Sequence, residues 1–323
     1  MKIVKPNHEI MIPESPYKHI EKIGRICYKS ENYITETSAE PFCKRMHDSN
    51  HHAMIEHYRF IIDIGPARYN VLKRFDTKYI TMTESDKPRR YIMSASARGL
   101  GDMYNAIEPT ECTIVVREFL SEIIHFIIKE FDCAVLFDKH FMDSIDEEHY
   151  STYRMHAIKD FSQLTQEEYQ KHAWFTVRLV CDRGVTHELV RHRDASFAQE
   201  STRYCNYDKD KFGGEIVVTD PFFFGDDYGN DKTLQASKYA IWEDCMNHAE
   251  RAYKMLIGLG ATPQEARTVL PHSLKTEIVV TAQVYEWIHI FNLRVIGTTG
   301  QPHPQIEEVM APIYTEMIER ELI

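Results

Sequence analysis

Hydrophobic residues first recur at helical spacing through Ile20, Ile23 and Cys27. Pro13 and Pro16 precede them, and the pattern predicts a helix over about 15–28. A second helix is predicted from near Ser38, with Glu40 and Pro41 in its first turn, ending before Asn50 and His51. The period then drops to two. Phe60, Ile62 and Ile64 alternate with Arg59, Ile61 and Asp63, which predicts a strand that Gly65-Pro66 stops. Further on, the chain reads as a strand over about 90–94 and a long apolar helix over about 113–131. The stretch 138–171 is charged and poorly patterned, with acidic clusters at 143–148 and 166–168, and reads as a surface excursion. Alternation resumes at Trp174 through Cys181 and predicts a strand, followed by a helical segment over about 184–193. A long helix over about 233–257 ends at Gly258 and Gly260. Thr262-Pro263-Gln264-Glu265 has the form of a capped helix start. A strand over about 276–283, a helix over about 284–294 and a final helix after Pro304 complete the pattern. There is no internal repeat and no low-complexity tract. Alternating helices and strands place the chain in a mixed α/β class.

Composition narrows the function classes. The 323 residues are 43% apolar and 27% charged, an ordinary globular balance. At this length folding buries roughly 75% of the unfolded surface. Lys and Arg total 38 against 49 Asp and Glu, a net charge of −11, which argues against a general polyanion binder and so against nucleic acid. The seven cysteines are odd in number and widely spaced, with no Cys-x-x-Cys pair, as expected for reduced thiols in a cytoplasmic protein. No apolar run has the length of a signal peptide core or of a membrane span, so a soluble protein off the membrane is expected.

No glycine-rich phosphate loop is present: Gly99-Leu100-Gly101 lacks a third glycine, and neither a P-loop nor a Gly-x-Ser-x-Gly elbow occurs. Any nucleotide must be held by side chains and local backbone. The densest polar cluster is Arg191-His192-Arg193-Asp194-Ala195-Ser196-Phe197-Ala198-Gln199-Glu200-Ser201-Thr202-Arg203-Tyr204. Guanidinium groups match phosphate or carboxylate bidentately. The Arg-His-Arg triplet alone reads equally as a helix C-terminus whose cations complement the dipole. His51, His52 and His57 lack metal-ligand spacing, so no metal site is expected. Cys205 reads as a structural thiol.

The pattern Arg-His-Arg, two residues, Ser, four residues, Ser, one residue, Arg resembles the signature of the flavin-dependent thymidylate synthases, the thymidylate synthase complementing family. Arg191, His192, Arg193, Ser196, Ser201 and Arg203 occupy its fixed positions. Two further blocks follow in the family's order. His51-His52-Ala53-Met54-Ile55-Glu56-His57 is similar to the family's His-x-Ser-x-x-Glu-His, with Ala53 in place of the hydroxyl residue. Ala266-Arg267-Thr268-Val269-Leu270-Pro271 is similar to its Ala-Arg-x-x-Leu-Pro. Gln283 and His289 stand where the family often has Asn, and His303-Pro304-Gln305 is similar to its final His-Ala-Gln block after extra residues. The resemblance covers 15–64 and 172–323, and implies a single domain interrupted by an insertion at about 65–171.

The resemblance implies a central sheet flanked by long helices, assembled as a homotetramer with sites at subunit interfaces. It implies methylation of dUMP to dTMP with 5,10-methylenetetrahydrofolate as carbon donor, hydride from FAD and NADPH as its reductant. It implies catalytic roles for Arg294 and Ser201. The dUMP contacts carried over are Glu188, Arg191, Gln199, Ser201, Thr202, Arg203, Arg267 and Arg294. The FAD contacts carried over are His51, Ala53, Arg191, His192, Arg193, Gln199, Gln283 and His289. A non-enzymatic nucleotide-binding protein on the same scaffold is the rival reading, and the signature residues that its loss of activity would remove are present. An RNA-binding module is disfavoured by the net charge.

Overall fold

The computed structural model describes residues 1–75, 77–110, 113–143, 155–209, 213–225, 229 and 231–323. Strands β1 (Lys2–Val4) and β2 (Asn7–Met11) open the chain. Helices α1 (Pro16–Tyr28) and α2 (Ala39–Asp48) fall where the hydrophobic spacing predicts them. Ser15 caps α1 by accepting from the Lys18 amide. A short helix α3 (His52–Ile55) leads into β3 (Arg59–Asp63). Then come α4 (Gly65–Leu72), β4 (Ile80–Glu84), β5 (Tyr91–Ser96), α5 (Ala97–Ala106), α6 (Ile114–Phe131) and α7 (His140–Asp143). The acidic residues 146–148 and Cys112 lie outside the described residues. After them run β6 (His156–Ala157), α8 (Gln166–His172), β7 (Trp174–Asp182), α9 (Arg183–Leu189), β8 (Ser196–Gln199) and β9 (Val217–Thr219). The last elements are α10 (Lys232–Gly258), α11 (Pro263–Ala266), β10 (Lys275–Gln283), α12 (Val284–Phe291) and α13 (Pro304–Glu319).

The central sheet is antiparallel in the order β2-β7-β10-β8. Phe175, Val177, Leu179 and Cys181 of β7 share one face with Ile278, Val280 and Ala282 of β10. Together they bury against Trp287, Ile290, Phe291, Ile306, Met310 and Ile313 of α12 and α13. Period-two alternation predicts a wet opposite face, yet Thr176 and Thr281 there are fully buried under α1. Their hydroxyls bond each other at 2.7 Å and are flanked by His19 at 3.0 Å and His57 at 2.8 Å, which satisfies a polar row inside the core.

A second antiparallel sheet has the order β4-β5-β3-β6. Phe60 and Ile62 of β3 face Leu120, Ile123, Ile124 and Ile127 of α6. Ile61, on the other side, joins Ile92, Ile158 and Trp174. Every residue of β3 is therefore buried, because strands from the 65–171 segment pair on both its edges. This corrects the reading of 155–171 as a surface excursion. Met155 and Ile158 are core residues, and Glu168 and His172 of α8 are buried. Glu168 completes a capping box with Thr165 and pairs with Arg90 at 2.8 Å. His172 bonds Thr83 at 2.6 Å and Ser94 at 3.0 Å. These polar groups face inward and find partners there, which hydrophobic periodicity does not register. β1 and β9 form a separate parallel pair beside α10. Among the described residues, no helix is long and apolar enough to cross a membrane.

Candidate active site

The signature divides in two. The helix predicted over 184–193 ends at Leu189, and Arg191 to Asp194 form a turn. The chain then becomes β8, paired to β10 with Ser196 opposite Thr281 and Gln199 opposite Ile278. Ser201 and Arg203 follow in a second turn. The two arginine groups therefore stand at opposite ends of a four-residue strand, roughly 10 Å long.

The first end opens onto a cleft of about 610 Å³ lined by Arg191, His192, Arg193, Asp194, Tyr285, Glu286, His289, Leu293 and Arg294. Helix α12 supplies Tyr285, Glu286 and His289. It then loosens into a π turn, Asn292–Ile296, that carries Arg294 and ends at Gly297 with φ 76°. Such wide turns tend to mark functional sites. Arg294 is held on three sides. Its Nε donates to His192 Nε2 at 3.1 Å, its Nη1 to Glu188 Oε2 at 3.1 Å and its Nη2 to the Glu188 carbonyl at 3.2 Å. Two of the five guanidinium N–H groups remain free to meet a ligand. Glu188 also lies 3.6 Å from His303 Nδ1. The His289 ring stands edge-on to His192 at 5.8 Å. Arg191 and Arg193 are exposed and, among the described residues, pair with no carboxylate. Unpaired cations on an acidic chain are poised for an anion.

The second end gathers Ser201, Arg203, Tyr204, Tyr28 and His51. The Arg203 amide donates to Ser201 Oγ at 3.3 Å, and the Arg203 guanidinium lies over the Tyr204 ring. Tyr204 faces Tyr28, whose hydroxyl lies 2.5 Å from His51 Nδ1. Burial, reinforced by His52, lowers the His51 pKa, so the imidazole is neutral at pH 7. Thr202 is buried beneath this turn. Gln199 donates to the Thr186 and Thr276 hydroxyls at 3.1 and 3.3 Å. Arg267 is exposed on the turn after α11 and pairs with no described carboxylate.

Beneath the second turn lies a charge cluster that sequence reasoning missed. Glu200 accepts from Lys275 Nζ at 3.2 Å and from the Tyr207 hydroxyl at 3.2 Å, and its carbonyl accepts from Arg183 at 2.8 Å. Glu277 meets Lys275, Lys29 and Arg178. Burial would raise the Glu277 pKa, but Lys275 and Lys29 outweigh it and hold the carboxyl at about 2.

Four residues expected at the flavin lie outside this cleft: His51 and Gln199 belong to the second end, and Gln283 and Ala53 to the core. Gln283 is 1% exposed. Its amide nitrogen donates to Ser94 at 2.9 Å and to the Lys171 carbonyl at 2.6 Å, and its oxygen accepts from Thr81 at 3.2 Å. The second sheet and α8 thus occupy the space that a ligand would need. Ala53 is half-buried against the core. Conversely, Tyr285 and Glu286 reach the cleft without having been singled out. Their spacing to His289 on one helical face is the signal that finds them. Burial raises the Cys205 thiol to about 12, as suits an inert structural cysteine.

The family model for the thymidylate synthase complementing protein matches residues 130–320. The chain belongs to this family. The match contains the signature, Arg267 and Arg294; it begins inside the 65–171 stretch and leaves out His51 and Ala53. The flavin-dependent thymidylate synthase of Pyrococcus furiosus is 33% identical over 156 residues, 48% of this chain and 59% of the relative. That of Geobacter sulfurreducens is 34% identical over 125 residues, 38% of this chain and 49% of the relative. The chain thus spans under two thirds of the curated relatives it matches. A solved UMP/dUMP methylase, PolB of Streptomyces cacaoi bound with 5-Br UMP, aligns with TM-score 0.41 at 19% identity over 47% of this chain and 71% of that one. A likeness this distant adds no functional argument.

Proposed function

We propose that this chain methylates dUMP at C5 to give dTMP, with 5,10-methylenetetrahydrofolate as carbon donor, FAD as hydride carrier and NADPH as its reductant. The observation that carries the reading is the cleft in which Arg294 is fixed by His192 and Glu188 beside two unpaired arginines. Those residues suit FAD: Arg191 and Arg193 offer uncompensated charge to its phosphates, and the exposed His289 ring, backed edge-on by the buried His192, offers a stacking face. FAD, when bound, supplies the hydride that completes the methyl group. Gln283 and Ala53 have no part in holding it.

The chain's own residues bind and polarise. A phosphomonoester needs charge-assisted donors, and Arg203 with the backbone at Ser201 supplies them, with Gln199, Thr202 and Arg267 framing the nucleotide. A uracil ring is a better carbon nucleophile when negative charge on its oxygens is stabilised. The two free N–H groups of Arg294 can do this without proton loss, since arginine stays charged. No cysteine nucleophile is needed, and the buried thiols are held protonated. Arg203 and Arg191 stand at opposite ends of β8. A homotetramer that brings the Ser201 end of one subunit to the cleft of another would place both kinds of arginine around one ligand. Reduced thiols and the absence of a helical span among the described residues suit the cytoplasm.

The test begins with the absorbance of the purified chain incubated with FAD. A bound flavin spectrum, bleached by NADPH, followed by tritium release from C5-labelled dUMP in the presence of the folate, is the expected outcome. A chain that takes up FAD but releases no tritium would overturn the reaction, and one that takes up none would overturn the flavin assignment.

A further inference from the structure

Glu286 is one of the charged residues most deeply buried at the cleft, at 4% exposure, and the reading above gives it no task. Its Oε1 lies 3.6 Å from His192 Nδ1, and His192 is itself only 5% exposed. On the other side of the ring, His192 Nε2 receives the Arg294 Nε–H at 3.1 Å. An arginine Nε carries a proton and cannot accept one, so His192 Nε2 must be the unprotonated nitrogen. The single proton of the neutral imidazole then sits on Nδ1, on the side of Glu286. A carboxylate there favours that tautomer; an apolar neighbour would leave it without an acceptor.

We propose that Glu286 is a positioning residue: it fixes the Nδ1–H tautomer of His192, and through it aims Arg294 at the nucleotide. The chain of contacts runs from α12 through the signature turn to the π turn, Glu286 to His192 to Arg294, and ends on Glu188. Each link restrains the next. Glu188 takes Nη1 and Nη2, and His192 takes Nε, so all three guanidinium nitrogens are tethered and the plane is held in one orientation. With the other tautomer, His192 would present an N–H to the Arg294 Nε–H. Two donors repel, and the guanidinium would lose one of its tethers. A carboxylate that orients a histidine tautomer is a recurrent device for holding a functional group in place.

The inference rests on the role assigned to Arg294, so its test carries a readout independent of turnover. The holoenzyme, labelled with 15N-histidine, is examined as wild type, Glu286→Leu and Glu286→Gln. His192 is identified by the signal lost in His192→Asn. In the wild type its resonances are those of a neutral ring protonated at Nδ1. Glu286→Leu is expected to shift them toward the Nε2–H form and to lower kcat at least about tenfold, with the KM for dUMP changed less than about twofold. Glu286→Gln keeps an acceptor oxygen and is expected to retain the tautomer and to stay within about threefold of wild-type kcat. Retention of the Nδ1–H tautomer in Glu286→Leu overturns the proposal, as does a Glu286→Gln enzyme as impaired as Glu286→Leu. Should the wild type make no dTMP, the proposed function fails, while the tautomer still decides the role of Glu286.

Discussion

Lys275 and Glu277 are two residues apart on β10 and therefore share one face of the sheet, where Lys275 Nζ meets Glu277 Oε1 at 2.5 Å. Glu200, the residue before Ser201, shares that lysine. Removing the ammonium leaves two nearly buried carboxylates with less compensation. Lys275→Met should lower unfolding free energy by roughly 3 kcal/mol in urea melts. The sign with pH follows from Glu277. Its folded pKa of about 2 lies below the ordinary value of 4.5, so it contributes stability that is full above 4.5 and is lost as pH falls toward 2. In Lys275→Met this contribution shrinks, and acid unfolding should begin at higher pH.

Three buried histidines give a second acid response. Burial pushes His19, His57 and His172 down to about 3. Between that value and the unfolded value near 6.5, the unfolded chain binds protons that the folded chain refuses, so stability falls as pH drops below 6.5. Three such groups amount to roughly 4 kcal/mol between pH 7.5 and 5.5. Urea midpoints at the two pH values measure it; equal midpoints would refute the assignment of neutral buried rings.

Gln283 distinguishes this chain from the family pattern. Gln283→Ala takes the amide donor from the Lys171 carbonyl inside the core and leaves the Ser94 hydroxyl with His172 alone, at a cost of about 2 kcal/mol. FAD content per folded chain should stay unchanged. A loss of FAD with the melting curve intact would return Gln283 to the flavin site.

Arg294→Ala should nearly abolish dTMP formation and leave FAD bound, because the flavin is assigned to Arg191 and Arg193. Arg191→Ala and Arg193→Ala should do the reverse, weakening FAD about tenfold each and flattening the salt dependence of its binding. Equilibrium dialysis at two ionic strengths, beside single-turnover assays, separates the two classes.

Much of this was legible in the sequence. The major helices and β7 and β10 follow from apolar spacing, and Thr262 and Glu265 form the expected capping box. The cleft side chains Arg191, His192, Arg193, His289 and Arg294 do come together. What escaped has a common cause. β8, Ser-Phe-Ala-Gln, is only four residues long, so alternation has too few positions to register, and the Arg-His-Arg triplet before it reads as a helix end. α8 is capped and charged, yet Glu168 and His172 turn inward to partners distant in sequence. Gln283 misled for a similar reason: its neighbours Ser94 and Thr81 come from the stretch that looked peripheral. Pairing partners across sheets are long-range facts, and a window of residues cannot contain them.

The signature's fixed count of residues now has a mechanical meaning. Between Ser196 and Gln199, inside the span from Arg193 to Ser201, the chain is stretched along β10, and each residue there advances it by a set rise while turning its side chain to the other face. One residue inserted into β8 would lengthen the spacer by about 3 Å and rotate Ser201 away from its side of the sheet. The spacing in the motif is thus a ruler written in backbone, and what it measures is the distance between two arginine-bearing turns.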